Sequence, residues 1–330
     1  MRAALLVQPG VIEIGDVPDP VVGPDDVRIA VGGVGLCGSD LSVFSGRWTA
    51  PSYPWIMGHE AFGTIDRVGE RVPASRLGET VVVEPNATCF ECRQCQRGRT
   101  SACIRRQSVG MNRAGALAQN VVVPSEFAWR IGEQAATDLV CVEPLTVVEA
   151  ALRRLGEPLP ESALVVAVGP QGLLMCVALA RRGVRVFAHD LKQDRVAFAT
   201  TLGARGLPVD EDEQRFDLVV DTVGTPASTE TSLSRIEIGG TLLVLGLDGR
   251  PFEMSSQTLV RRQLVIRGSL TYDHPVDFRT TVELVQSGHV APGRVVSSEH
   301  SLEDAQRAFE TSGSAPGKTW IRVKPRSNLT

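Results

Sequence analysis

Short apolar runs between turn residues characterise the first part of the chain. Four of them are rich in valine and are separated by glycine, proline and polar residues: Val27–Val31, Gly63–Val68, Thr80–Val83 and Ala118–Val123. Runs of this length and composition predict β-strands rather than helices. We therefore predict that residues 1–147 form an irregular β domain.

The pattern changes near residue 148, where predicted strands and helices begin to alternate. Leu164–Val168 is a continuous apolar run, which is typical of a buried parallel strand. A turn, an apolar helical segment and a second short run at Val184–Ala188 follow it. This order predicts an α/β domain with a doubly wound parallel sheet over residues 148–275. Helical patterns at Phe278–Ser287 and Leu302–Thr311 precede a last apolar run, Thr319–Val323.

The turn after the first strand of this region has the composition of a dinucleotide-binding loop, Gly169-Pro170-Gln171-Gly172. Glycines let the backbone approach a pyrophosphate, which sits at the N-terminus of the following helix. Asp190 ends the second strand, 18 residues past Gly172, where an acidic residue binds ribose hydroxyls and repels a 2′-phosphate. The segment resembles a Rossmann domain and favours NAD, although Ala167 replaces the first glycine of G-x-G-x-x-G.

Four of the seven cysteines form a compact cluster with the spacing C-x2-C-x2-C-x7-C: Cys89, Cys92, Cys95 and Cys103. Such spacing lets one loop wrap four thiolates around a tetrahedral ion, and four sulfur ligands leave no open position. We therefore predict a structural zinc. Disulfides and an iron–sulfur cluster are the alternatives, and a reducing compartment disfavours the disulfides.

A second candidate metal centre lies between Val34 and Glu60. It offers a thiol, an imidazole and a carboxylate from Cys37, His59 and Glu60, the ligand types that a catalytic zinc uses. The alternative is a buried cysteine and a hydrogen-bonded histidine on neighbouring loops. Because 21 residues separate Cys37 from His59, only the tertiary fold can bring them together.

Together these motifs resemble the zinc-dependent medium-chain alcohol and polyol dehydrogenases. The resemblance rests on Cys37-Gly38-Ser39-Asp40, Gly58-His59-Glu60, the cysteine cluster and Glu143-Pro144-Leu145, in this order along the chain. It implies a GroES-like fold for residues 1–147, a Rossmann NAD-binding domain over 148–275, and a return of 276–330 to the first domain. It also implies two zinc ions per chain and a homodimer or homotetramer.

The resemblance assigns roles in catalysis to residues that also have plainer explanations. Cys37 and His59 would hold the catalytic zinc together with Glu60 or Glu143, whose alternative is a helix N-terminal charge. Ser39 matches a proton-relay hydroxyl, or is a turn serine. Asp40 matches a carboxylate that orients the ligand histidine, or caps a loop.

The resemblance also implies contacts with the cofactor and the substrate. Arg195 matches a position that flanks adenine, and the loops carrying Val223 and Gly246 would line the nicotinamide. Ser42 replaces a histidine that ends the proton relay in many relatives, including most threonine dehydrogenases. The run around Cys37 is similar to that of aminocyclitol dehydrogenases. If this chain has a similar substrate, Phe44 and Trp48 could form a wall of the substrate pocket; the alternative is that they pack in the core.

We therefore expect an NAD-dependent dehydrogenase of a polyol or cyclitol. A simple secondary-alcohol or amino-alcohol dehydrogenase is the alternative within enzymes, and a catalytically silent nucleotide sensor is the alternative outside them. The net charge of -4 and the absence of a basic patch make nucleic acid an unexpected partner. The N-terminus lacks the apolar run of a signal peptide, and Gly169–Gly172 interrupts the apolar run Ala163–Ala180, so we expect no membrane span and a cytoplasmic protein.

Overall fold

The chain divides into two units in the computed structural model, which describes residues 1–207 and 214–323. Unit 1 comprises Met1–Glu143 and the segment that begins at Asp273, and unit 2 is Pro144–Tyr272. The expected boundaries, after residues 147 and 275, lie four and three residues further along the chain.

The strands of the described residues are, in chain order, β1 Arg2–Gln8, β2 Val11–Asp16, β3 Asp26–Gly35, β4 Trp55–Ile56, β5 Glu60–Val68, β6 Thr80–Val83, β7 Asn86–Ala87, β8 Gln107–Ser108, β9 Asn120–Pro124, β10 Ala128–Arg130, β11 Ser162–Val166, β12 Arg185–His189, β13 Arg205–Gly206, β14 Phe216–Asp221, β15 Ile236–Val244, β16 Val265–Gly268, β17 Val296–Ser301 and β18 Lys318–Arg322. The helices are α1 Gly38–Phe44, α2 Arg93–Gln96, α3 Ala136–Leu139, α4 Val142–Leu155, α5 Pro170–Arg181, α6 Gln193–Thr201, α7 Pro226–Arg235, α8 Ser256–Arg261, α9 Val276–Gln286 and α10 Ala305–Ser312.

Unit 1 is built around a mixed sheet with the strand order β10-β6-β5-β3-β18-β17, and β9 also pairs with β3. The long strand β3 runs antiparallel to both β5 and β18, so that Gly35 lies opposite Glu60 on one side and Trp320 on the other. The C-terminal segment thus supplies strands to the sheet of unit 1. Buried valine, isoleucine and alanine side chains from these strands form its core.

Unit 2 contains a parallel sheet of six strands in the order β13-β12-β11-β14-β15-β16. The strand order reverses between β11 and β14, which is the doubly wound arrangement of dinucleotide-binding domains. Leu164, Val219 and Leu242 lie in its buried core, as the continuous apolar runs predict. The expected α/β fold class, an irregular β domain followed by a parallel sheet with helices, is confirmed.

Two elements differ from the predicted bounds for physical reasons. The helical pattern predicts a start at Val147, but α4 begins at Val142. Pro144 does not prevent this earlier start, because the backbone N–H groups of the first helical turn have no partner within the helix and proline lacks only that N–H. The first strand of unit 2 ends at Val166 rather than Val168, since Ala167 adopts a φ of 67° and turns the chain. Within residues 1–207 and 214–323, no helix is both long and apolar enough to cross a membrane.

Candidate active site and cofactor site

The first half of the candidate catalytic centre is a sharp turn from a strand into a helix. Strand β3 ends at Gly35, and Cys37 takes an extended conformation immediately before α1. Asp40, in the first turn of α1, accepts a hydrogen bond at 3.0 Å from the backbone N–H of Cys37. A carboxylate at this position satisfies an N–H that the helix cannot and favours the positive end of its dipole.

The second half is the turn before β5. Gly58 has a φ of 90°, and a Cβ there would lie 2.8 Å from Leu117 and 2.9 Å from Val34. Only glycine fits this conformation and this space. The N–H of Gly58 donates to Oδ1 of Asp40 at 3.2 Å, so Asp40 ties the two turns together.

The fold brings the predicted ligands into one group, in which ligand atoms of Cys37, His59 and Glu60 all lie within 4.8 Å of one another. Nδ1 of His59 lies 3.3 Å from Oδ1 of Asp40, and this contact leaves Nε2 as the nitrogen for a metal. One thiol, one imidazole and one carboxylate form a donor set that suits zinc. The residues present therefore fit the metal that the sequence predicts.

The electrostatics of this centre reflect the buried pair of His59 and Asp40. Burial alone would raise the pKa of Asp40, but the His59 ring and the N–H groups of Cys37 and Gly58 hold it below its ordinary value. Burial alone would lower the pKa of His59, yet Asp40 and Cys37 hold it well above its usual range. The two side chains therefore stabilise each other's charged forms in this buried position.

Glu143, Ser39 and Ser42 have different surroundings in the structure. Glu143 is buried in the first turn of α4 and does not belong to the group formed by Cys37, His59 and Glu60, so its direct binding of a metal stays a prediction. Ser39 is partly exposed on α1. Ser42 donates its hydroxyl to the carbonyl of Gly38 at 2.9 Å, which commits it to the helix backbone.

Sequence reasoning missed Lys318, a buried cation at this centre. Its ammonium group forms an ion pair with Glu60 and donates a hydrogen bond to the carbonyl of Leu36 at 3.2 Å. Lys318 is 1% exposed, and 258 positions separate it from Glu60. No local signal marks it, because Lys318 directly precedes the predicted run Thr319–Val323, where a lysine is ordinarily exposed.

The four cysteines of the cluster converge, and all four sulfur atoms lie within 4.8 Å of one another. Sγ of Cys92 is 3.6 Å from Sγ of Cys95, and Sγ of Cys103 is 3.5 Å from Sγ of Cys89. Disulfide bonds of about 2.05 Å are much shorter. Four thiolates at about 2.3 Å from one zinc would lie roughly 3.8 Å apart, close to the observed spacing.

The cysteine loop presents backbone N–H groups to its own sulfur atoms. The N–H groups of Cys92 and Glu91 lower the pKa of Cys89 to about 6. Burial and neighbouring thiols raise the pKa of Cys95 to about 12. The loop is anchored by Ser101, whose N–H donates to Asp273 at 2.9 Å, and by Thr100, which accepts from the N–H of His274 at 2.6 Å.

In unit 2 the predicted dinucleotide-binding residues follow the carboxyl ends of the neighbouring strands β11 and β12. A Cβ on Gly172 would overlap the carbonyl of Ala167, so glycine is needed where α5 meets the turn. Asp190 accepts hydrogen bonds at 2.9 Å from the N–H groups of Val168 and Lys192 and is therefore fixed at the end of β12. The nearest nitrogen of Arg195 lies 3.9 Å from Asp190.

The remaining residues of the turn after β11 also have defined positions. Pro170 begins α5, and the side chain of Gln171 donates to the carbonyl of Pro144 at 3.2 Å. The guanidinium of Arg195 lies beside this loop, since a Cβ built on Gly169 would be 3.6 Å from its nearest nitrogen. The first N–H groups of a helix without a side-chain cap can bind an anion such as a pyrophosphate.

The loops after β14 and β15 meet at Val223 and Gly246. A Cβ on Gly246 would overlap the backbone of Val223, so the two loops touch through their main chains. Asp221, which the sequence reasoning did not single out, accepts from the N–H groups of Val223 at 3.0 Å and Gly224 at 2.8 Å. This buried carboxylate fixes the loop and leaves the side chain of Val223 41% exposed.

The fold and both centres define a class of zinc-dependent oxidoreductases, and comparison with known proteins agrees. Residues 23–133 match the alcohol dehydrogenase GroES-like domain, and residues 170–287 match the zinc-binding dehydrogenase domain. The chain belongs to the medium-chain zinc alcohol dehydrogenase family. It is an oxidoreductase that acts on alcohols and binds NAD(P), as the sequence predicts.

Individual relatives are similar over almost the whole chain. L-threonine 3-dehydrogenase of Shewanella baltica is 27% identical over 318 residues, which cover 91% of this chain and 92% of the relative. A cobalt- and zinc-bound thermostable alcohol dehydrogenase from Pyrobaculum aerophilum is 27% identical with a TM-score of 0.88, covering 98% and 99%. A zinc-binding dehydrogenase-type protein of Sinorhizobium meliloti 1021 bound to NADP is 25% identical with a TM-score of 0.87, over the same shares.

Proposed function

We propose that this chain transfers a hydride between NAD(H) and a secondary alcohol or ketone, with the alcohol held at a zinc in unit 1. The observation that carries the proposal is the convergence of Cys37, His59 and Glu60, with Asp40 orienting His59. Three protein ligands leave one position for a substrate, as a catalytic zinc requires. The four thiolates of the cysteine cluster would hold a second, structural zinc.

The residues of the chain have distinct tasks in this reaction. When bound, the zinc would polarise the alcohol as a Lewis acid and the nicotinamide would carry the hydride. Asp40 would fix the tautomer of His59, whose Nδ1 lies 3.3 Å away, and it joins the two turns that carry the ligands. Ser39 would receive the alcohol proton, as the family resemblance implies, while the hydroxyl of Ser42 is bonded within α1.

We propose a preference for NAD over NADP. Asp190 stands at the end of β12, where its carboxylate would bind ribose hydroxyls and repel a 2′-phosphate. Two observations favour NADP instead: Arg195 lies near Asp190, and a similar protein of known structure is bound to NADP. The ratio of kcat/KM values for NAD and NADP decides the question, and a higher value with NADP would refute this part of the proposal.

For the substrate we propose a polyol or an (amino)cyclitol, on the strength of the residues that follow Cys37. Ser42 in place of the relay histidine separates this chain from typical threonine dehydrogenases. The second candidate is an amino alcohol, which the similarity to L-threonine 3-dehydrogenase favours. Phe44 gives no support to either substrate, since its ring lies 5.1 Å from that of Phe309 and packs against the core of unit 1, as Trp48 also does.

We further propose a cytoplasmic homodimer or homotetramer. Strand β16 lies at the edge of the sheet of unit 2 with Val265 43% exposed, and such an edge can pair with a second copy. The seven cysteines are unpaired, as a reducing compartment requires. Light scattering would give the number of subunits.

Zinc content per chain, measured together with NAD reduction on a substrate panel, tests the central proposal. The panel contains polyols, cyclitols, amino alcohols including L-threonine, and simple secondary alcohols. We expect two zinc ions per chain and the highest kcat/KM on a polyol or cyclitol. Turnover of L-threonine alone would move the substrate class, and a single zinc held by the cysteine cluster would contradict the catalytic site.

A further inference from the structure

Asp221, the last residue of β14, is a fully buried carboxylate whose hydrogen-bond partners are all neutral. Oδ1 accepts from the N–H groups of Val223 at 3.0 Å and Gly224 at 2.8 Å. Oδ2 lies 2.9 Å from the hydroxyl of Ser228 and 3.0 Å from the hydroxyl of Thr229, and both hydroxyls can donate to it. Among the described residues, no ion pair joins this carboxylate to a cationic side chain.

A buried charge without a cationic partner is unusual, because the removal of a carboxylate from water is costly. Aspartate is ionised at neutral pH, and the N–H and O–H donors around Asp221 suit the charged form of its side chain. These donors bring no full positive charge, and the N-terminal end of α7 adds only a partial one. The negative charge is therefore available to attract a cation that binds close to this loop.

The strand order indicates which part of a dinucleotide would approach this charge. Asp190 follows β12 and the N-terminus of α5 follows β11, so the adenosine and the pyrophosphate belong on that side of the point where the strand order reverses. A doubly wound sheet of this kind binds the second nucleotide over its other half. Strand β14 is the first strand of that half, so the nicotinamide belongs beside the loop that Asp221 holds.

The loops of that half present apolar side chains where a flat ring would bind. Three exposed aliphatic side chains follow the carboxyl ends of neighbouring strands: Val223 after β14, Leu247 after β15 and Leu270 after β16. Apolar surfaces with a few fixed polar groups are typical of cofactor sites. The backbone carbonyl of Asp221 also accepts from the N–H of Leu245 at 2.9 Å, so this one residue supports the loops after β14 and β15.

We propose that Asp221 sets the relative affinity of this site for the two oxidation states of the cofactor by stabilising the oxidised form. The nicotinamide ring of NAD⁺ carries a positive charge, whereas the dihydronicotinamide ring of NADH is neutral. A buried anion beside the ring strengthens the binding of NAD⁺ and leaves that of NADH nearly unchanged, and salt screens such a buried charge only weakly. The inference rests on the cofactor binding of the proposed function, and it holds for NAD and NADP alike because both contain the same ring.

The test measures the dissociation constants of NADH and NAD⁺ for the full-length holoenzyme. NADH fluorescence gives the first constant, and displacement of NADH by NAD⁺ gives the second. In Asp221→Asn the ratio of the NAD⁺ constant to the NADH constant should rise about fivefold or more, because one charge of an attractive pair is lost. The affinity for ADP-ribose, which lacks the ring, should not change, and this shows that the adenosine half is folded. An unchanged ratio would overturn the inference.

Three further variants separate the charge from the geometry of the loop. Ser228→Ala and Thr229→Val each remove a hydroxyl that can donate to Asp221 but keep the charge of the carboxylate. A loosened loop weakens NAD⁺ and NADH by similar factors, so the ratio should stay within about twofold of the wild-type value. Asp217→Asn removes an exposed carboxylate on the same strand and should also leave the ratio unchanged. A rise in Thr229→Val as large as that in Asp221→Asn would refute a role of the charge.

A measurement on the wild-type chain keeps the test decisive if Asp221→Asn does not fold. Benzamide adenine dinucleotide has the shape of NAD⁺ but a neutral ring, because carbon replaces the charged nitrogen. The wild-type chain should bind NAD⁺ about fivefold or more tightly than this analogue, and equal affinities would overturn the inference on Asp221 alone. A wild-type chain that binds neither NADH nor ADP-ribose would overturn the proposed function as well.

Discussion

The two candidate metal centres of unit 1 are assembled in opposite ways. The cysteine cluster takes all its ligands from one stretch, Cys89 to Cys103, and from one residue type. The other centre takes three different residue types from the turn after β3 and the turn before β5, and its Glu60 is held by a lysine from the last described strand. The first is local and uniform, and the second depends on the whole fold.

The difference corresponds to two tasks. Four thiolates fill a tetrahedral coordination shell, so a metal there can only stabilise the loop. A centre with a thiol, an imidazole and a carboxylate leaves a position for a substrate, but its ligands need support to stay in place. Asp40 supplies that support with three contacts, to Cys37, Gly58 and His59.

The strongest test of the comparison removes one ligand from the mixed centre. His59→Ala should lower kcat by about 10³-fold or more, because the Lewis acid provides several kcal/mol of the rate enhancement. The zinc content should fall by one per chain while the cysteine-cluster zinc remains, as metal analysis after gel filtration would show. Full turnover in this variant would mean that the centre is not catalytic.

The complementary change removes one ligand from the cysteine cluster. Cys95→Ser should lower the free energy of unfolding by about 3 kcal/mol, because a bound structural zinc contributes folding energy directly. The turnover of the remaining folded protein should fall much less than in His59→Ala. Chemical denaturation measures the loss, and Cys176→Ala, a buried cysteine outside both centres, is the matched control. An equal loss in both variants would argue against a structural metal.

A smaller effect is expected from the support of the mixed centre. Asp40→Asn should weaken zinc binding about 10–100-fold, because the residues that orient a metal ligand typically contribute this much. Competition with a chelator measures the affinity. The control is Asp66→Asn, which removes a carboxylate of β5 that lies outside the centre and pairs with Arg28 of β3. If Asp40→Asn bound zinc as tightly as this control, Asp40 would not orient His59.

The smallest effect, counted per pH unit, concerns the two cysteines that lie outside both metal centres. Burial raises the pKa values of Cys141 and Cys176 to about 12. Unfolded thiols lose their protons near pH 9, whereas the buried ones keep theirs, so the contribution of these two thiols to stability is constant below about pH 9 and falls as pH rises toward 12. Each thiol should contribute about 1 kcal/mol per pH unit in that window. Urea unfolding at several pH values measures the slope, and Cys141→Ala should remove about half of it.

Local patterns in the sequence were sufficient for much of the fold and for one metal centre. The apolar runs predicted β3, β5, β6 and β9, and β6 has the predicted bounds Thr80–Val83, because a buried strand leaves a continuous apolar run. The cysteine spacing predicted its cluster, since residues within one loop are brought together by chain connectivity alone. Resemblance to a family then connected the remaining motifs.

Only the tertiary structure decided which distant side chains share a site. The sequence left Glu60 and Glu143 as alternatives, and the pairing of strands put Glu60 beside Cys37 and His59. Lys318 could not be assigned from its neighbours, because its contact with Glu60 depends on β18 pairing with β3 and on Gly35, where a Cβ would overlap both side chains. Residue types and local spacing can be read from the sequence directly. Contacts between residues that are hundreds of positions apart depend on the order and register of the strands, which only the folded structure gives.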